Sequence, residues 1–568
     1  MKDPAWIKTP PPEKSFRSIL KWGSPGEYKR PNKRLVKFLA DFFSLREDFF
    51  QKPKSSGLDE ISVKTSVKLN KKHLDYFQKL CGKENIKTDS YDRIKASYGK
   101  TMVDLMRLRE KKIENLPDAV VSPKSKKEIE EIVKYCSKHK IPLYATGMRS
   151  SVTRGTEAVK GGISLDMTVH MNKIISFSET NQTITVEAGI TGPMLEEALN
   201  NAHNKFKAKR RYTCGHFPQS FEYSTVGGWI VTLGSGQQST YYGDARDLVI
   251  SQEYVTPAGN ISTKNFPAEA CGPSINYFMP GSEGAFGILV SVVLKVFRYM
   301  PENRRYFTYI FKDFKNAISA GREIMQSENG IPSAFRISDS EETEAGFKLY
   351  GIPDIVIDKV LPFLGFKKNK RSILLGFTDG GGQYSKLAAK NIKKICGRYK
   401  ALSITGYAAK KWEKGRFKDP YMRDDLQDFG IIMDTLECSV TWENISEVYS
   451  AIRAFGKSRP QTMVMMHMSH FYSQGTNLYI IFTGIFKDIS EFSKYQMGII
   501  KTIKDSGASL SHHHGIGKLI APFFEDYTGK TEMGLLRAAK KYLDSNNILN
   551  PGGTLALDIE KKRQKRKL

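Results

Sequence analysis

Apolar side chains recur at helical spacing in the first hundred residues of the chain. They appear every three or four positions in two stretches, Leu35, Phe38, Leu39, Phe42 and Phe43, then Leu74, Phe77 and Leu80. This spacing puts the apolar side chains on one face of a helix. We therefore predict a helical N-terminal region over residues 1–110 that packs on the rest of the protein.

The pattern changes near residue 116, where an α/β unit is predicted. Residues 117–123 form a short β-branched stretch bounded by prolines, and residues 141–145 form the next predicted strand. Between them a helix is expected to begin after Ser125, which has capping-box spacing with Glu128. The polar residues 146–155 then follow the end of a strand, which is where α/β proteins tend to bind ligands.

The pattern divides the rest of the chain into further parts. Short strands alternate with turns up to residue 297, interrupted by a long stretch of small residues at 212–243. A connection of that length without regular structure is unusual unless it wraps a ligand. A mixed pattern then resumes, and a helix precedes a run of three histidines. The predicted parts after the N-terminal region are 111–299, 300–500, 501–557 and a basic tail at 558–568.

Length and composition are typical of a globular protein with several domains. The chain has 568 residues, 40% of them hydrophobic and 26% charged, which is too long for one core. Its longest nearly apolar run, residues 288–297, falls well short of the roughly 20 residues that a membrane-spanning helix needs. We therefore exclude a transmembrane protein. We also expect no secretory signal, because the N-terminus has no apolar stretch.

The charge balance favours anionic partners. Lys and Arg number 88 against 60 Asp and Glu, a formal net charge of +28, which suits nucleic acid, an acidic membrane surface or phosphorylated substrates. The sequence has no zinc-finger spacing or RNA-recognition motif, so nucleic acid is not expected. The basic cluster at 561–567 is interpreted as a solvated end or as an electrostatic membrane tether. Six scattered cysteines predict reduced thiols.

Three segments rich in Gly, Ser and Thr carry the first candidate chemistry. They are residues 147–155, 212–243 and 279–288. Glycine lets backbone N–H groups approach an anion, and Ser and Thr hydroxyls donate hydrogen bonds to phosphate oxygens. One such segment is usually only a turn, but three in one domain suit a large phosphorylated cofactor better than a single phosphate ion.

These segments, in this order, are similar to a known family. The resemblance is carried by residues 117–123, 150–155 and 280–284, by the more specific run 215–229, and by the His-His-His-Gly motif at 512–515. Over residues 112–555 the chain resembles alkylglycerone-phosphate synthase (alkyl-dihydroxyacetone-phosphate synthase), of the superfamily that includes vanillyl-alcohol oxidase, and we expect a prokaryotic-type relative. The resemblance implies an α+β fold with a two-subdomain FAD-binding PCMH-type domain, an α/β cap domain and a C-terminal helical segment.

The resemblance also implies FAD as cofactor, and a set of residues that bind it. The implied FAD-binding residues are Gly147, Arg149, Ser150, Ser151, Val152, Pro218, Gln219, Ser220, Ser224, Thr225, Gly228, Thr232, Ser235, Ser282, Glu283, Gly284, Gly287 and Ile288. The family usually has glycines where this chain has Met148 and Arg149, and we expect the Arg149 guanidinium to compensate as a donor to phosphate. No histidine occupies 146–153, where some relatives attach flavin covalently, so we predict non-covalent FAD.

Three consecutive histidines, His512, His513 and His514, are the second candidate. Adjacent side chains in an extended segment point in different directions, so all three are not expected to line one face. Only His512 and His514 have the i, i+2 spacing of metal ligands on a strand, and we predict no metal. The resemblance implies that this motif lies in the active site, where imidazoles shuttle protons or contact the substrate phosphate.

Four further residues are implied by the resemblance. Tyr479 matches the acid/base tyrosine of the family, and the alternation of its predicted strand directs it away from the apolar face. Arg423 matches the substrate-binding arginine, and Arg336 matches a second arginine on which activity depends. With His470 they form the predicted substrate-binding set, since a phosphate-bearing substrate needs a guanidinium fork.

The function implied by the resemblance is an FAD-dependent alkyl transfer. The acyl group of 1-acyl-dihydroxyacetone phosphate is exchanged for a long-chain fatty alcohol in ether lipid biosynthesis, through a flavin N5–substrate adduct without net oxidation. One alternative is an FAD-linked oxidase or dehydrogenase of 2-hydroxy acids, in which Arg423 binds a carboxylate and His512 or His514 takes the hydroxyl proton. Another is a catalytically silent basic scaffold on membranes or nucleic acid.

The expected assembly and location complete the sequence-based predictions. We expect a homodimer in the cytoplasm, with peripheral contact to a membrane surface. The C-terminal residues Arg566, Lys567 and Leu568 end like the peroxisomal Ser-Lys-Leu address, but arginine replaces its small first residue. A peroxisomal location is expected only if the source is eukaryotic.

Overall fold

The computed structural model describes residue 7 and residues 10–559. Helices and strands are mixed along the chain, and the described residues form sheets of four, five, two and seven strands. This confirms the predicted α+β class. The basic cluster at 561–567 and the C-terminal tripeptide lie outside the described residues. None of the helices in the described part is long and apolar enough to cross a bilayer.

The first sheet forms where the sequence predicted an α/β unit. Its strands lie in the order Ile86–Lys87, Ala119–Val121, Ile163–Asp166 and Leu143–Thr146. The last three are parallel, and the helix Lys126–His139 packs its apolar face on them. Ser125 caps this helix as predicted. The Glu128 carboxylate, however, accepts from the N–H of Lys124 instead of that of Ser125.

The second sheet is antiparallel and completes the FAD-binding part. Its strands lie in the order Ile174–Ser178, Thr183–Glu187, Ile288–Lys295, Val249–Thr256 and Gly259–Ser262. A two-stranded ribbon pairs Phe297–Arg298 with Tyr212–Thr213. The short helices of this part are Gly192–Asn200, Ala202–Phe206, Val226–Val231, Ser239–Tyr242, Ala245–Leu248 and Ile275–Phe278. The apolar run at 288–297 is thus a core strand, which explains why it is hydrophobic.

The stretch at 212–243 is more ordered than its small residues suggested. It contains the 3₁₀ turn Phe221–Tyr223 and the helices Val226–Val231 and Ser239–Tyr242. These elements are three to six residues long, too short for a clear helical period in the sequence. The expectation of a connection without regular structure was therefore wrong.

The third large sheet has seven antiparallel strands and forms the cap. Its order is Leu402–Ile404, Arg305–Phe311, Ser372–Thr378, Ala334–Ser338, Met463–Met468, Gly475–Gly484 and Ile432–Thr441. The surrounding helices are Phe314–Gln326, Ser340–Leu349, Val356–Val360 (a π-helix), Leu361–Phe363, Gly382–Arg398, Tyr407–Gly415, Asp419–Gln427, Ile445–Ser458 and Ile489–Asp505. The helices Ala521–Thr528 and Lys530–Leu543 follow the histidine run and return to the FAD-binding part.

The N-terminal region packs on both large bodies of the molecule. Its helices are Phe16–Leu20, Lys33–Phe43, Lys71–Cys81, Ser90–Ser97 and Met102–Arg109. The first and last of these pack into the cap core, whereas Phe77 and Cys81 pack into the first sheet. Residues 86–87 even form the edge strand of that sheet. Residues 16–110 therefore contact both bodies.

Candidate active site

A large cavity lies between the FAD-binding part and the seven-stranded sheet. Most of the residues implied by the family resemblance line it. From the FAD-binding set these are Gly147, Arg149, Ser150, Ser151, Val152, Pro218, Gln219, Ser220, Ser224, Thr225, Gly228, Thr232, Ser235 and Glu283. From the catalytic and substrate sets these are Tyr479, His513, His514, Arg423, Arg336 and His470. Segments hundreds of residues apart thus meet in one place.

Five of the implied residues do not line the cavity. Ser282 is buried and Gly284 has a positive φ of 77° in the turn before the core strand. Gly287 packs against Tyr254 and Thr256 of the neighbouring strand, and Ile288 is a core residue. His512 lies behind the cavity wall; its contacts are described below.

The flavin side of the cavity is built largely from backbone and small side chains. Gly147 approaches Thr225 so closely that an added Cβ would lie 2.3 Å from the Thr225 Oγ1. Ser151 holds its own loop in shape, since its hydroxyl accepts from the N–H of Gly155 at 3.0 Å. Gln237 lines the same wall, and its buried Oε1 has no hydrogen-bond partner among the described residues. These features fit a bound dinucleotide.

Arg149 takes the backbone conformation of a glycine. Its φ is 61°, in the left-handed region that costs an ordinary residue roughly 1–2 kcal/mol. Its guanidinium does not project freely, because Nη1 donates to Asp166 Oδ2 at 3.0 Å. The expected role as a phosphate donor thus competes with an ion pair that the sequence did not indicate.

Tyr479 faces the cavity from the strand Gly475–Gly484. The strand alternates as predicted: Leu478 and Ile480 are buried in the core, while Tyr479 and Ile481 line the cavity. The Tyr479 hydroxyl donates to Thr435 Oγ1 at 3.1 Å, and its ring stacks on His467 with 4.8 Å between centroids. Burial raises the pKa of Tyr479 to about 12, so the phenol keeps its proton at neutral pH.

The histidine segment is held by two buried glutamates. Glu437, on the strand Ile432–Thr441, accepts from the N–H groups of His512, His513 and His514 at 2.5–3.2 Å. Glu283, in the loop before the core strand of the FAD-binding part, accepts from the N–H groups of residues 516 and 517 at 2.7 and 2.8 Å. One carboxylate from each body thus fixes the backbone on either side of Gly515.

The three histidines do not all line the cavity, as the sequence analysis expected. Residues 511–515 bend around Glu437, so the two that do are the neighbours His513 and His514, while His512 points away. Burial would raise the pKa of Glu437, but His514, His512 and these hydrogen bonds lower it overall. No motif in the sequence pointed to Glu437, which lies 75 residues before His512.

A hydrogen-bonded chain leads from His513 away from the cavity. The Nδ1 atoms of His513 and His512 are 2.9 Å apart, and His512 Nε2 is 2.7 Å from the hydroxyl of Tyr472. Tyr472 donates in turn to Asp244 Oδ2 at 2.5 Å. Asp244 is partly exposed. The chain therefore connects a cavity histidine to the surface, through two residues that sequence analysis missed.

His470 lies beside this chain and contacts the same carboxylate indirectly. Its Nδ1 is 2.9 Å from Ser235 Oγ and 2.8 Å from Ser239 Oγ, and Ser235 donates to Asp244. Burial and the neighbouring imidazoles lower the pKa values of His470 and His513 well below the ordinary range. Both rings are therefore neutral at pH 7.

The ring nitrogens of His470, His512 and His513 lie within 4.8 Å of one another. This separation is close enough for three imidazoles to share a metal ion. Each of these rings already has a hydrogen-bond partner in the network just described. The absence of a metal stays a prediction.

Both arginines of the predicted substrate-binding set line the cavity. Arg336 donates to Glu342 Oε1 at 2.6 Å and lies 3.1 Å from His467 Nδ1. Burial would raise the pKa of Glu342, but the charges of Arg336 and His467 hold it far below its ordinary value. The position of this guanidinium is thus fixed by a carboxylate on the next helix.

Arg423 is positioned from the N-terminal region. Its Nε donates to Asp424 Oδ1 at 3.1 Å, and its Nη1 donates to the carbonyl of Lys100 at 3.2 Å. The other Asp424 oxygen accepts from the backbone of Trp22 at 2.6 Å, and Trp22 itself lines the cavity. Nη2 of Arg423 is buried without a hydrogen bond in the described structure, but it lies 3.1 Å from Asp424 Oδ1 and belongs to the same ion pair. An anion in the cavity would therefore share this guanidinium with Asp424.

Comparison with known proteins agrees with this geometry. Residues 117–264 match the FAD binding domain family, and residues 300–554 match the C-terminal domain of FAD linked oxidases. The alkyldihydroxyacetonephosphate synthase of Dictyostelium discoideum is 30% identical over 488 residues, which cover 82% of this chain and 78% of that protein. This chain belongs to the alkyldihydroxyacetonephosphate synthase family. Its cofactor is FAD, and the protein is an FAD-dependent enzyme.

Structural and further sequence relatives place the family in its superfamily. A solved alkyldihydroxyacetonephosphate synthase superposes with a TM-score of 0.77 at 25% identity, covering 94% of this chain and 98% of that one. The 4-ethylphenol oxidase of Gulosibacter chungangensis shares the fold, with a TM-score of 0.65 at 15% identity. An uncharacterised FAD-linked oxidoreductase of Escherichia coli K12 is 30% identical over 77% of this chain and 88% of that protein.

Proposed function

We propose that this enzyme exchanges the acyl group of 1-acyl-dihydroxyacetone phosphate for a long-chain alcohol. The proposal is supported by the similarity to three alkyldihydroxyacetonephosphate synthases and by one observation above all. A protonated tyrosine, four imidazoles and two guanidinium groups line the cavity opposite a wall that fits a dinucleotide. An ester of a sugar phosphate needs all of these groups, whereas a scaffold protein needs none of them.

In this proposal the arginines bind the phosphate of the substrate. Arg423 lines the cavity with a guanidinium whose Nη2 makes an ion pair with Asp424 but no hydrogen bond, and Arg336 adds a second positive charge in the same cavity. Guanidinium forks match phosphate oxygens in shape and charge. The acyl and alkyl chains contact the apolar part of the lining, to which Val231, Met433 and Ile481 contribute.

Tyr479 moves the proton at C1 with help from the neighbouring histidines. Its hydroxyl carries a proton in the free enzyme, because burial raises the pKa of Tyr479 to about 12. The neutral ring of His513 lies parallel to the tyrosine ring at 5.9 Å between centroids, and that of His514 lies at 5.6 Å. A neutral imidazole can accept a proton that the tyrosine passes on. Bound FAD would supply N5, an electron-accepting nitrogen through which one difficult substitution can be divided into two steps.

The reaction as proposed releases one proton in each turnover. The alcohol loses its proton when it becomes an ether, and the acyl group leaves as a carboxylate. We propose that this proton leaves through His513, His512, Tyr472 and Asp244, whose contacts of 2.9, 2.7 and 2.5 Å are continuous. Such a chain can pass a proton by successive short transfers.

The phenol of Tyr472 allows a test of this exit. Tyr472→Phe removes the hydroxyl that links His512 to Asp244 in this hydrogen-bonded series. The substitution changes the volume of the side chain very little. We expect a drop in kcat of about tenfold to a hundredfold, with unchanged flavin content and a larger solvent isotope effect on kcat than the wild type has. An isotope effect equal to that of the wild type would exclude the route.

Mass spectrometry of the products tests the proposed reaction itself. The purified holoenzyme is given acyl-dihydroxyacetone phosphate and hexadecanol, and an ether product with released fatty acid is expected. The flavin absorbance should be the same after turnover as before it. The rival is a 2-hydroxy acid dehydrogenase, which the similarity to a glycolate oxidase subunit of Bacillus subtilis supports at 23% identity. Anaerobic bleaching by lactate or glycolate, with no ether formed, would favour that rival.

A further inference from the structure

A second cavity lies beside the active-site cavity, and most of its wall comes from the N-terminal region. Its volume is about 450 Å³. The lining comes mainly from three parts of the chain, which are residues 10–26, residues 91–100 and the loop 148–150. Both cavities are lined by Trp22, Met148, Arg149 and Ser150, so the two share a wall. We call this second cavity the vestibule.

Trp22 connects the shared wall to Arg423. Its backbone N–H is fixed by Asp424, and its ring centroid lies 5.9 Å from Cζ of Arg423. The indole N–H makes no hydrogen bond to any described residue, so the ring can turn without losing one. A ligand that passes this ring from the vestibule therefore meets Arg423, the arginine proposed to bind phosphate.

The lining of the vestibule carries more positive than negative charge. Its cations are Lys21, Lys95, Lys100 and Arg149. Glu13 is the only acid that lines it in the described part of the chain, and this residue is exposed. Lys21 and Arg149 each form an ion pair with an aspartate. Lys95 and Lys100 have no carboxylate within ion-pair distance among the described residues, so two positive charges stay uncompensated.

Lys95 is the more available of these two lysines. The Lys100 ammonium donates to the backbone carbonyls of Ile19 and Lys21, whereas the Lys95 ammonium lies only against a ring, 5.7 Å from the centroid of Tyr91. Burial and the positive charge of Arg149 lower the pKa of Lys95, so these two cations repel each other. An anion beside Lys95 would relieve this repulsion.

We propose that the vestibule is the entrance for the phosphate-bearing substrate, and that Lys95 captures its phosphate before Arg423 does. The identity of this substrate rests on the function proposed above. A phosphate monoester is attracted by the uncompensated lysines and then passes Trp22 to reach Arg423. Charges at the mouth of a site accelerate association and leave the chemical step unchanged. An uncharged alcohol gains nothing from these lysines.

Gly26 offers a way to block the vestibule from inside. It lines the vestibule, a Cβ at this position would meet no atom within 4 Å, and its φ lies outside the left-handed region. Gly26→Trp should therefore fill space without straining the backbone. The matched control is Gly534→Trp, at an equally open position on the helix Lys530–Leu543. Flavin absorbance and the thermal midpoint verify that each variant is folded.

Stopped-flow mixing of the holoenzyme with dihydroxyacetone phosphate, followed by flavin absorbance, measures both binding rates. A blocked entrance slows entry and exit alike, because the bound state itself is unchanged. We expect the association and dissociation rate constants of Gly26→Trp to fall together by about tenfold or more, while Kd stays the same. The control variant should have the rates of the wild type.

Lys95→Gln tests the capture step separately. Its association rate constant should fall by about threefold to tenfold at low ionic strength. The difference from the wild type should vanish in about 1 M KCl, where charges are screened within about 3 Å. Lys79→Gln is the matched control, since it removes the same charge at an exposed position on the helix Lys71–Cys81.

Three results would overturn the proposal. The first is a set of association rates that neither Gly26→Trp nor Lys95→Gln changes, or a wild type that binds no dihydroxyacetone phosphate. The second is a colourless Gly26→Trp protein, which would assign the vestibule to FAD. The third is slower binding of hexadecanol but not of dihydroxyacetone phosphate, which would make the vestibule an alkyl-chain site. These rates are measured without turnover, so a missing ether product would refute the proposed reaction and leave the entrance in place.

Discussion

The two walls of the cavity recognise their ligands by different means. The flavin wall consists of glycines, hydroxyls and backbone groups from residues 147–155 and 218–235. The cap wall consists of ionisable side chains, which come from positions as distant as Arg336, Arg423, Tyr479 and His513. On the flavin wall, cofactor binding depends on how closely the backbone can approach the cofactor. On the cap wall, catalysis depends on which ionisable side chain carries each proton.

This difference determines what a substitution does. A changed side chain on the flavin wall is tolerated when the backbone keeps its path. On the cap wall a single atom matters, because each ionisable group is neighbour to the next: Arg336 to Glu342 and His467, and His467 to Tyr479. Substitutions on the two walls should therefore separate FAD binding from catalysis.

Tyr479→Phe should have the largest effect on activity. It removes the hydroxyl and leaves the ring that stacks on His467. We expect ether formation to fall by at least about 10²–10⁴-fold, with bound FAD unchanged, as measured by product analysis and the flavin spectrum. Thr435→Val is the matched control, since it removes only the partner of this hydroxyl. Full activity of Tyr479→Phe would contradict its proposed role.

Glu437→Gln should affect both stability and activity. The amide cannot accept from three N–H groups as a carboxylate does, and leaving such groups unpaired costs about 1–3 kcal/mol. We expect a lower thermal midpoint and a large loss of kcat, because His513 and His514 lose their support. Glu447→Gln, at an exposed position on the helix Ile445–Ser458, should change neither. A Glu437→Gln enzyme with wild-type kcat would show that the histidine segment keeps its shape without this support.

Acid should destabilise the protein through histidines behind the flavin wall. Burial lowers the pKa of His216 to about 4, and neither ring nitrogen has a hydrogen-bond partner among the described residues. Between pH 6.5 and about 4 the unfolded chain binds a proton that the folded protein does not. As the pH is lowered through this range, the free energy of unfolding should therefore decrease by up to about 1.4 kcal/mol per pH unit because of this residue.

His216→Asn isolates that contribution. Between pH 6.5 and 4.5, the free energy of unfolding of the variant, measured by urea unfolding, should depend less on pH than that of the wild type. This holds whatever the stability of the variant at neutral pH. Above pH 7 the difference between the two proteins should be constant, since the ring is neutral in both states there. A slope identical to that of the wild type would mean that His216 is not the group that titrates.

Arg149→Gly should have the smallest effect. Glycine accepts a φ of 61° without strain, which offsets the lost ion pair with Asp166, so we expect stability within about 1 kcal/mol of the wild type. FAD affinity should change less than about tenfold when the backbone does the binding. Arg149→Ala separates the effect of backbone strain from the effect of the ion pair, because it loses the guanidinium but keeps the strained φ angle. If the Arg149→Gly protein were colourless, it would support the expectation that the Arg149 guanidinium donates to the phosphate of FAD.

The sequence predicted the features that depend on neighbouring residues. Ser125 begins its helix, Tyr479 faces the cavity because strands alternate, and the loop of Gly147 lines the cavity as expected. All of these follow from local spacing. The predicted domain boundaries stay predictions, although residues 86–87 pair with the strand Ala119–Val121. The short helices at 226–231 and 239–242 were not predicted, because each is too short to show a helical period in the sequence.

The missed residues act across long distances in the chain. Glu437, Asp244, Tyr472 and Trp22 carry no motif of their own, and each matters only through a partner that folding brings near. Glu437 is an ordinary strand residue until a loop 75 positions away wraps it. No periodicity records such a contact, so only the three-dimensional structure reveals it.

The two glutamates that hold residues 512–517 belong to different halves of the molecule. If the halves swung apart, either Glu283 or Glu437 would be left as a buried carboxylate facing no donor, at a cost that a thermal fluctuation rarely meets. The two halves are therefore linked through residues 512–517 at the centre of the interface between them. Any separation of the two halves would have to break the hydrogen bonds of one of these carboxylates first.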